Sequence, residues 1–335
     1  MPTLKDVARR ANVSKSTVSR AFNDPDRVKS ETLTAIRKAA RELNYKPSRV
    51  ARRLRMDKGR TNMIGLVIPD IQNPFFADVT RGVEDVARSH DYTLILSNSD
   101  EDPAKQKLAL DTLRAESVDG VIVPPVRDDD PDVEALVESG IPVVCVDRRL
   151  ASTRVDMVVS DNERGSRMAT EHLIAQGHRR IAYIGGIPRI STSRERLSGY
   201  RNALDEHDLP FNDALVRDGD SRQESGQRLT EQLLNLDPPP TALVAGNNLM
   251  MLGALIALNE HNVRIPQDMA LVGYDDVPWA KALNPPPTVV NQPGYEMGRR
   301  AAETLFQRFA EPNQSTTLAT LQPTLVVRAS CGAAS

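Results

Sequence analysis

Residues 3–23 read TLKDVARRANVSKSTVSRAFN, and residues 30–55 continue SETLTAIRKAARELNYKPSRVARRLR. The first run predicts two short helices joined by a tight turn. Thr3 stands as an N-cap, Asp6 places a carboxylate in the positive first turn, and Leu4, Val7, Ala8 and Ala11 share one face. Asn12 ends that helix and Ser14 caps a second, whose first turn exposes Lys15, Ser16 and Thr17 while Val18, Ala21 and Phe22 turn inward. Such a helix can offer its polar N-terminal residues to base edges in a DNA major groove while its apolar face packs on the helix before it. A third helix, expected over Glu31–Asn44 with Ser30 as its cap, carries Leu33, Ile36, Ala40 and Leu43 at helical spacing and completes a small core.

An ordinary three-helix bundle would show the same periodicity, so charge separates the readings. Residues 1–60 hold 17 lysines and arginines against 6 acidic residues, a net of +11, and the remainder holds 26 against 39, a net of −13. The whole-chain value of −2 conceals this division. A basic head on an acidic body suits contact with phosphates confined to one module. After Pro47, residues 48–55 place Val50, Ala51 and Leu54 on one side with four arginines around them. Eight residues make too short a helix to stand alone in water. The segment therefore requires a partner, most simply its copy in a second subunit together with DNA, and Leu54 could then wedge into a base step from the minor groove. A basic linker is the plainer reading.

These two stretches resemble the DNA-binding head of the lactose-repressor (LacI) family of bacterial transcription regulators. Matched by position, the resemblance implies that Lys15, Ser16 and Arg20 read or flank bases, that Thr17, Ser19 and Asn23 mainly hold phosphates, that Leu54 is the intercalating leucine of a hinge helix, and that Ala51 lies beside it. Ser48 stands where the family often has asparagine.

The body is read from its apolar runs: MIGLVIPD (63–70), YTLILSNS (92–99), VDGVIVPP (118–125), IPVVCVDR (141–148), RRIAYIGG (179–186), TALVAGN (241–247) and MALVGYDD (269–276), with amphipathic helical stretches between them. That alternation predicts parallel sheets covered by helices on both faces. About 275 residues exceed one ordinary α/β core, so two lobes are expected. Polar residues gather where those strands end: Asp70 and Asn73, Ser97 and Asn98, Asp147 and Arg148, Asn247 and Asn248, Asp275 and Asp276. In such sheets ligands bind at the carboxyl ends of strands. Each of these residues taken singly is more often a cap or turn residue.

The body also is similar to the periplasmic sugar-binding-protein fold that the LacI family shares. The expected fold class is an all-α helix-turn-helix head with a hinge helix, joined to an α/β two-lobed periplasmic-binding-protein-like core of two parallel sheets. The resemblance implies a head at 1–46, a hinge helix and linker at 47–60, an N-terminal lobe of 62–161 plus 291–321, and a C-terminal lobe of 162–290 plus 322–330. Crossings near Ser160-Asp161, Val290-Asn291 and Leu321-Gln322 would form the joint. It further implies that Asn73, Phe75, Asp147, Arg148, Arg196, Asn247 and Asp275 bind a small effector, with Phe76 either beside them or in the core. Carboxylates, amides and guanidinium forks suit the hydroxyls of a sugar or sugar acid, and an aromatic ring suits its apolar face. Asn248 and Ser221 depart from the sugar-binding pattern, which keeps a nucleobase in view.

Other signals are weak. Gly120 and Gly185-Gly186 belong to no dinucleotide or phosphate-loop motif. Cys145 and Cys331 are isolated thiols, and the five histidines show no ligand spacing, so neither metal nor cofactor is expected. Asp128-Asp129-Asp130 reads as a solvated loop. No nucleophile or acid–base constellation marks an enzyme, and a free sugar-binding protein would leave the head unexplained. MPTLKDV lacks the apolar core of a signal peptide and no run spans a membrane, so a cytoplasmic protein is expected, on the nucleoid when bound to DNA. The residues after Arg328 carry no leucine heptads, so a homodimer is expected to bind double-stranded operator DNA.

Overall fold

All seven apolar runs form strands in the structure, a computed structural model that describes residues 2–23, 25–45 and 60–332. The chain divides into two units, residues 1–61 and 62–335. In the first, α1 (Leu4–Arg10), α2 (Lys15–Asn23) and α3 (Ser30–Glu42) bury Val7, Ala8, Val18, Ala21, Ile36, Ala39 and Ala40 against one another. Thr3 and Asp6 close a capping box in which the Asp6 carboxylate accepts from the Thr3 N–H at 2.9 Å and from its hydroxyl at 2.7 Å. Asn12 takes a left-handed φ of 52° in the turn, and the Ser14 hydroxyl accepts the Thr17 N–H at 3.0 Å. The third helix starts one residue earlier than expected. Lys29, not Ser30, is the cap residue, and its carbonyl takes the first helical bond from the Leu33 N–H at 2.9 Å. The hinge positions at 48–55, Ala51 and Leu54 among them, lie outside the described residues.

The second unit holds two six-stranded sheets. The strands are β1 (Met63–Ile68), β2 (Thr93–Asn98), β3 (Gly120–Val123), β4 (Val143–Asp147), β5 (Asp156–Ser160), β6 (Ile181–Gly185), β7 (Val216–Asp218), β8 (Ala242–Ala245), β9 (Ala270–Tyr274), β10 (Thr288–Asn291), β11 (Leu318–Leu321) and β12 (Thr324–Val326). Sheet 1 runs β11-β5-β4-β3-β1-β2 with every pair parallel; sheet 2 runs β12-β10-β9-β8-β6-β7 and is parallel except for β10 with β12. The chain passes between the sheets three times: after β5, after β10 and after β11.

Helices cover both faces of each sheet: α4 (Pro74–Ser89), α5 (Pro103–Ala115), α6 (Pro131–Glu138), α7 (Asn162–Ala175), α8 (Ser191–Glu206), α9 (Gln223–Leu234), α10 (Asn248–Glu260) and α11 (Gly294–Ala310). Alternation along the strands sorts the cores. Ile64, Leu66 and Ile68 of β1 face Val79 and Val83 of α4 and Met297 and Leu305 of α11, whereas Val67 faces Leu110 and Leu113 of α5. In sheet 2, Ile181 and Tyr183 face α7 and α8 while Ala182 and Ile184 face α9 and α10.

Three helix pairs touch backbone to backbone. A Cβ added at Gly82 or Gly298 would lie 2.1 Å from the Tyr295 carbonyl oxygen or 2.0 Å from that of Val79, so α4 and α11 approach only because both positions are bare. Gly199 does the same for α8 on α7, and Gly226 with Gly253 for α9 on α10. Asp130 shows a different departure from expectation. It is fully buried, caps α6 through the Asp132 and Val133 N–H groups, and accepts from Gln106 Nε2 at 2.6 Å, because a carboxylate that satisfies several buried donors is held inside. Gly298→Ala is expected to destabilise the folded protein by about 1–3 kcal/mol through overpacking. Equilibrium urea unfolding checks this, and an unchanged midpoint would remove the close-contact argument.

Candidate functional site

In each sheet one strand has its sequence neighbours on opposite sides: β1 lies between β3 and β2, and β6 between β8 and β7. Loops leaving the carboxyl ends of such strands part in opposite directions and open a crevice. The seven residues expected to bind an effector all line one cleft there, together with Glu101, Tyr183, Gln292 and others.

After β1, Asn73 caps α4: its Oδ1 accepts the Phe75 N–H at 3.0 Å and also the Asn248 Nδ2 at 2.9 Å, a bond from the sheet-1 side to the sheet-2 side. Phe75 and Phe76 meet edge to face at 5.0 Å, and both are at once cleft wall and core. At the end of β4, Asp147 sits at a left-handed φ of 67°; after β9, Asp275 sits at 63°. Such backbone costs on the order of 1 kcal/mol or more for a non-glycine residue, and here it fixes the direction in which each carboxylate leaves its strand.

Charge in the cleft is dense and buried. Arg148 is 5% exposed and grips Glu101 with both terminal nitrogens, Nη1 to Oε2 at 2.8 Å. Its Nε lies 3.6 Å from Asp147 Oδ2 and has no hydrogen-bond partner, nor has Asp147 Oδ1. Arg196 of α8 donates to Asn162 Oδ1 at 2.8 Å and the Gly246 carbonyl at 2.6 Å, with its guanidinium 4.0 Å above the Tyr274 ring. Asn247 caps α10 through the Met250 N–H at 2.8 Å and donates to the Ser221 carbonyl at 2.8 Å. Asp275 accepts from Gln292 Nε2 at 2.7 Å. Burial pushes the Asp147 carboxyl up to about 6 against the pull of Arg148 and Arg196, and burial raises Asp275 too, offset in part by Arg196. Five carboxylates line the cleft against three guanidiniums.

Sequence reasoning missed Glu101, Tyr183, Tyr274 and Gln292. Tyr183 and Tyr274 sit within apolar runs and read as core, while Glu101 and Gln292 come from a loop and from a crossing between sheets. Further bonds join the two sides: Arg149 Nε to Glu195 at 2.6 Å, Arg189 to the Glu101 carbonyl at 3.0 Å, and Arg194 to Asp128, the last another departure from a solvated loop.

In the head unit, Lys15, Ser16 and Arg20 are exposed on α2, Thr17 and Ser19 are half-buried, and Val18 beneath them is buried. The Ser14 hydroxyl lies 2.7 Å from those of Ser16 and Thr17, which orders the first turn. The side chain of Asn23 lies outside the described residues. Among the described residues there is no cluster of three or more metal-ligating side chains, and no helix is long and apolar enough to cross a membrane. Cys145 and Cys331 are both buried.

Residues 3–48 match the family of bacterial regulatory proteins of the lacI type, and residues 61–324 match the periplasmic binding proteins and sugar binding domain of LacI family. The chain belongs to the LacI family. Like other LacI-family members it is a DNA-binding transcription regulator with a separate effector-binding body. It is 36% identical over 332 residues to the ribose operon repressor of Haemophilus influenzae, covering 98% of both chains. Among solved structures it is similar to the lac repressor dimer bound to operator and the anti-inducer ONPF, with a TM-score of 0.86, 29% identity and 99% of each chain covered. It is also similar to the transcriptional regulator CelR-cellobiose complex, with a TM-score of 0.75, 35% identity, and 98% and 100% covered.

The raised Asp147 carboxyl has a consequence for this LacI-family body. A folded pKa above the unfolded value means that the proton stabilises the fold below about pH 4, and that this contribution is lost as pH rises through about 6. Wild type is therefore expected to lose about 3 kcal/mol relative to Asp147→Asn across that window. Urea unfolding at stepped pH measures the difference, and a flat profile would contradict it.

Proposed function

We propose that the protein represses transcription as a homodimer on a near-palindromic operator and that a sugar or sugar derivative, bound in the cleft, controls its grip. The observation that carries this reading is the presence, in one chain, of a helix with Lys15, Ser16 and Arg20 exposed and a cleft in which Asn73, Phe75, Asp147, Arg148, Arg196, Asn247 and Asp275 converge. The names of its relatives, a ribose operon repressor and a cellobiose-bound regulator, favour a sugar.

In this reading Lys15, Ser16 and Arg20 discriminate bases, while Thr17, Ser19 and Asn23 hold phosphates and set register. Ala51 and Leu54 enter the minor groove, where the leucine unstacks the central step. Two heads on half-sites match the two-fold symmetry of a dimer to that of the operator. The lobes, taken as 62–161 with 291–321 and 162–290 with 322–330, close on the effector, whose influence on DNA affinity equals its differential binding to the two states. The protein works in the cytoplasm and carries out no catalysis.

A gel-shift assay with the upstream region of the protein's own operon, with and without candidate sugars, tests the reading. Arg20→Ala is expected to weaken operator binding by about 1–3 kcal/mol, roughly five- to 150-fold, with much less effect on unrelated DNA. Asp275→Ala is expected to bind the operator as wild type does and to ignore the effector. A normal effector response in that variant would move the site elsewhere.

A further inference from the structure

The cleft contains groups already satisfied and groups still open, and the two sets differ in chemistry. The Arg148 fork, a natural seat for a carboxylate or phosphate, is occupied. Arg148 spends both terminal nitrogens on Glu101, and one of them also faces the Pro125 carbonyl at 3.4 Å. Arg196 commits its Nε to Asn162 and its Nη1 to Gly246, with its guanidinium over the Tyr274 ring. The open atoms are Asp147 Oδ1, Gln292 Oε1, Arg148 Nε and the Tyr183 hydroxyl, each buried and without a hydrogen-bond partner. Two are acceptors, one is a donor and one is either.

Glu101 is not free to withdraw. It stands at φ 60°, directly after Asp100 at 52°, in a loop where Asp100 pairs with Lys105 and Asn98. Arg189, from the opposite side of the cleft, donates to the Glu101 carbonyl at 3.0 Å. The carboxylate is therefore held in the fork both by its own loop and by a bond from the other side of the cleft.

We propose that the cleft selects an uncharged polyol over the corresponding acid, and that Glu101 sets this selectivity by filling the Arg148 fork. The inference deepens the sugar reading above and rests on it. A hydroxyl both donates and accepts, so a ring of them can donate to Asp147 Oδ1 and Gln292 Oε1 while accepting from Arg148 Nε and Tyr183. An anionic group can only accept. It would leave Asp147 Oδ1 unsatisfied, meet an Arg148 fork already filled by Glu101, and enter a cleft where carboxylates outnumber guanidiniums five to three.

Isothermal titration calorimetry on the full-length protein tests this with matched pairs: D-glucose with D-glucuronate, D-galactose with D-galacturonate, and D-ribose with D-ribonate, with guanine as a non-sugar. In every pair that binds, the neutral member is expected to bind at least tenfold tighter. Glu101→Gln weakens the hold on the fork and is expected to shift that ratio at least tenfold toward the acid. Glu101→Asp, whose shorter carboxylate retreats from the fork, is expected to shift it in the same direction and serves if the first variant does not fold. An acid that binds wild type as tightly as its neutral partner overturns this inference and leaves the sugar reading standing, as does an unchanged ratio in a folded variant. Binding of guanine alone, or of no compound, overturns the sugar reading and this inference with it.

Discussion

A parallel strand must deliver its carboxyl end to the same edge of the sheet as its neighbours, and the functional body of this protein follows from that constraint. Asn73, Asp147, Asn247 and Asp275 are far apart in sequence, yet each stands at or just beyond the end of a strand whose register places that end beside the next. Two sheets facing one crevice then bring the two sets of ends together. The same residues serve local needs: Asn73 and Asn247 cap helices with one side-chain atom and reach across the cleft or to the Ser221 carbonyl with another bond. Fold and site are thus satisfied by the same hydrogen bonds, and a substitution at either amide disturbs both.

Electrostatics adds a second layer. Burying Arg148, Arg196, Asp147 and Asp275 is costly unless each charge has partners, and most of the pairing is internal: Glu101 for Arg148, Tyr274 and two acceptors for Arg196, Gln292 for Asp275. Asp147 is the exception, with one oxygen left open and its proton affinity raised by burial. An incompletely paired buried acceptor favours any bound molecule that supplies a donor.

Much of this was legible in the sequence, for identifiable reasons. The head announces itself through caps, helical spacing and a charge excess that composition alone conceals. Seven of the twelve strands are apolar runs bounded by turn residues. The other five strands, β5, β7, β10, β11 and β12, are hidden because DMVVS, VRD, TVVN, LATL and TLV are short and mix polar with apolar residues. Glu101 was illegible because its role depends on a left-handed loop, and Asp130 because a run of three aspartates looks solvated until Gln106 and the start of α6 are placed around it. The bare helix contacts at Gly82 and Gly298 required knowing that segments more than 200 residues apart lie together.

Those contacts have a mechanical meaning. Helices seated backbone on backbone cannot slide or tilt without collision, so each sheet with its helices behaves as a stiff plate. Compliance is then left to three thin connections between the plates, after Ser160, Asn291 and Leu321. In the function proposed above, these three crossings would be the joint about which the plates turn. A molecule bonded to both walls of the cleft would then act as a spacer, its size and bonding setting the angle between two stiff plates.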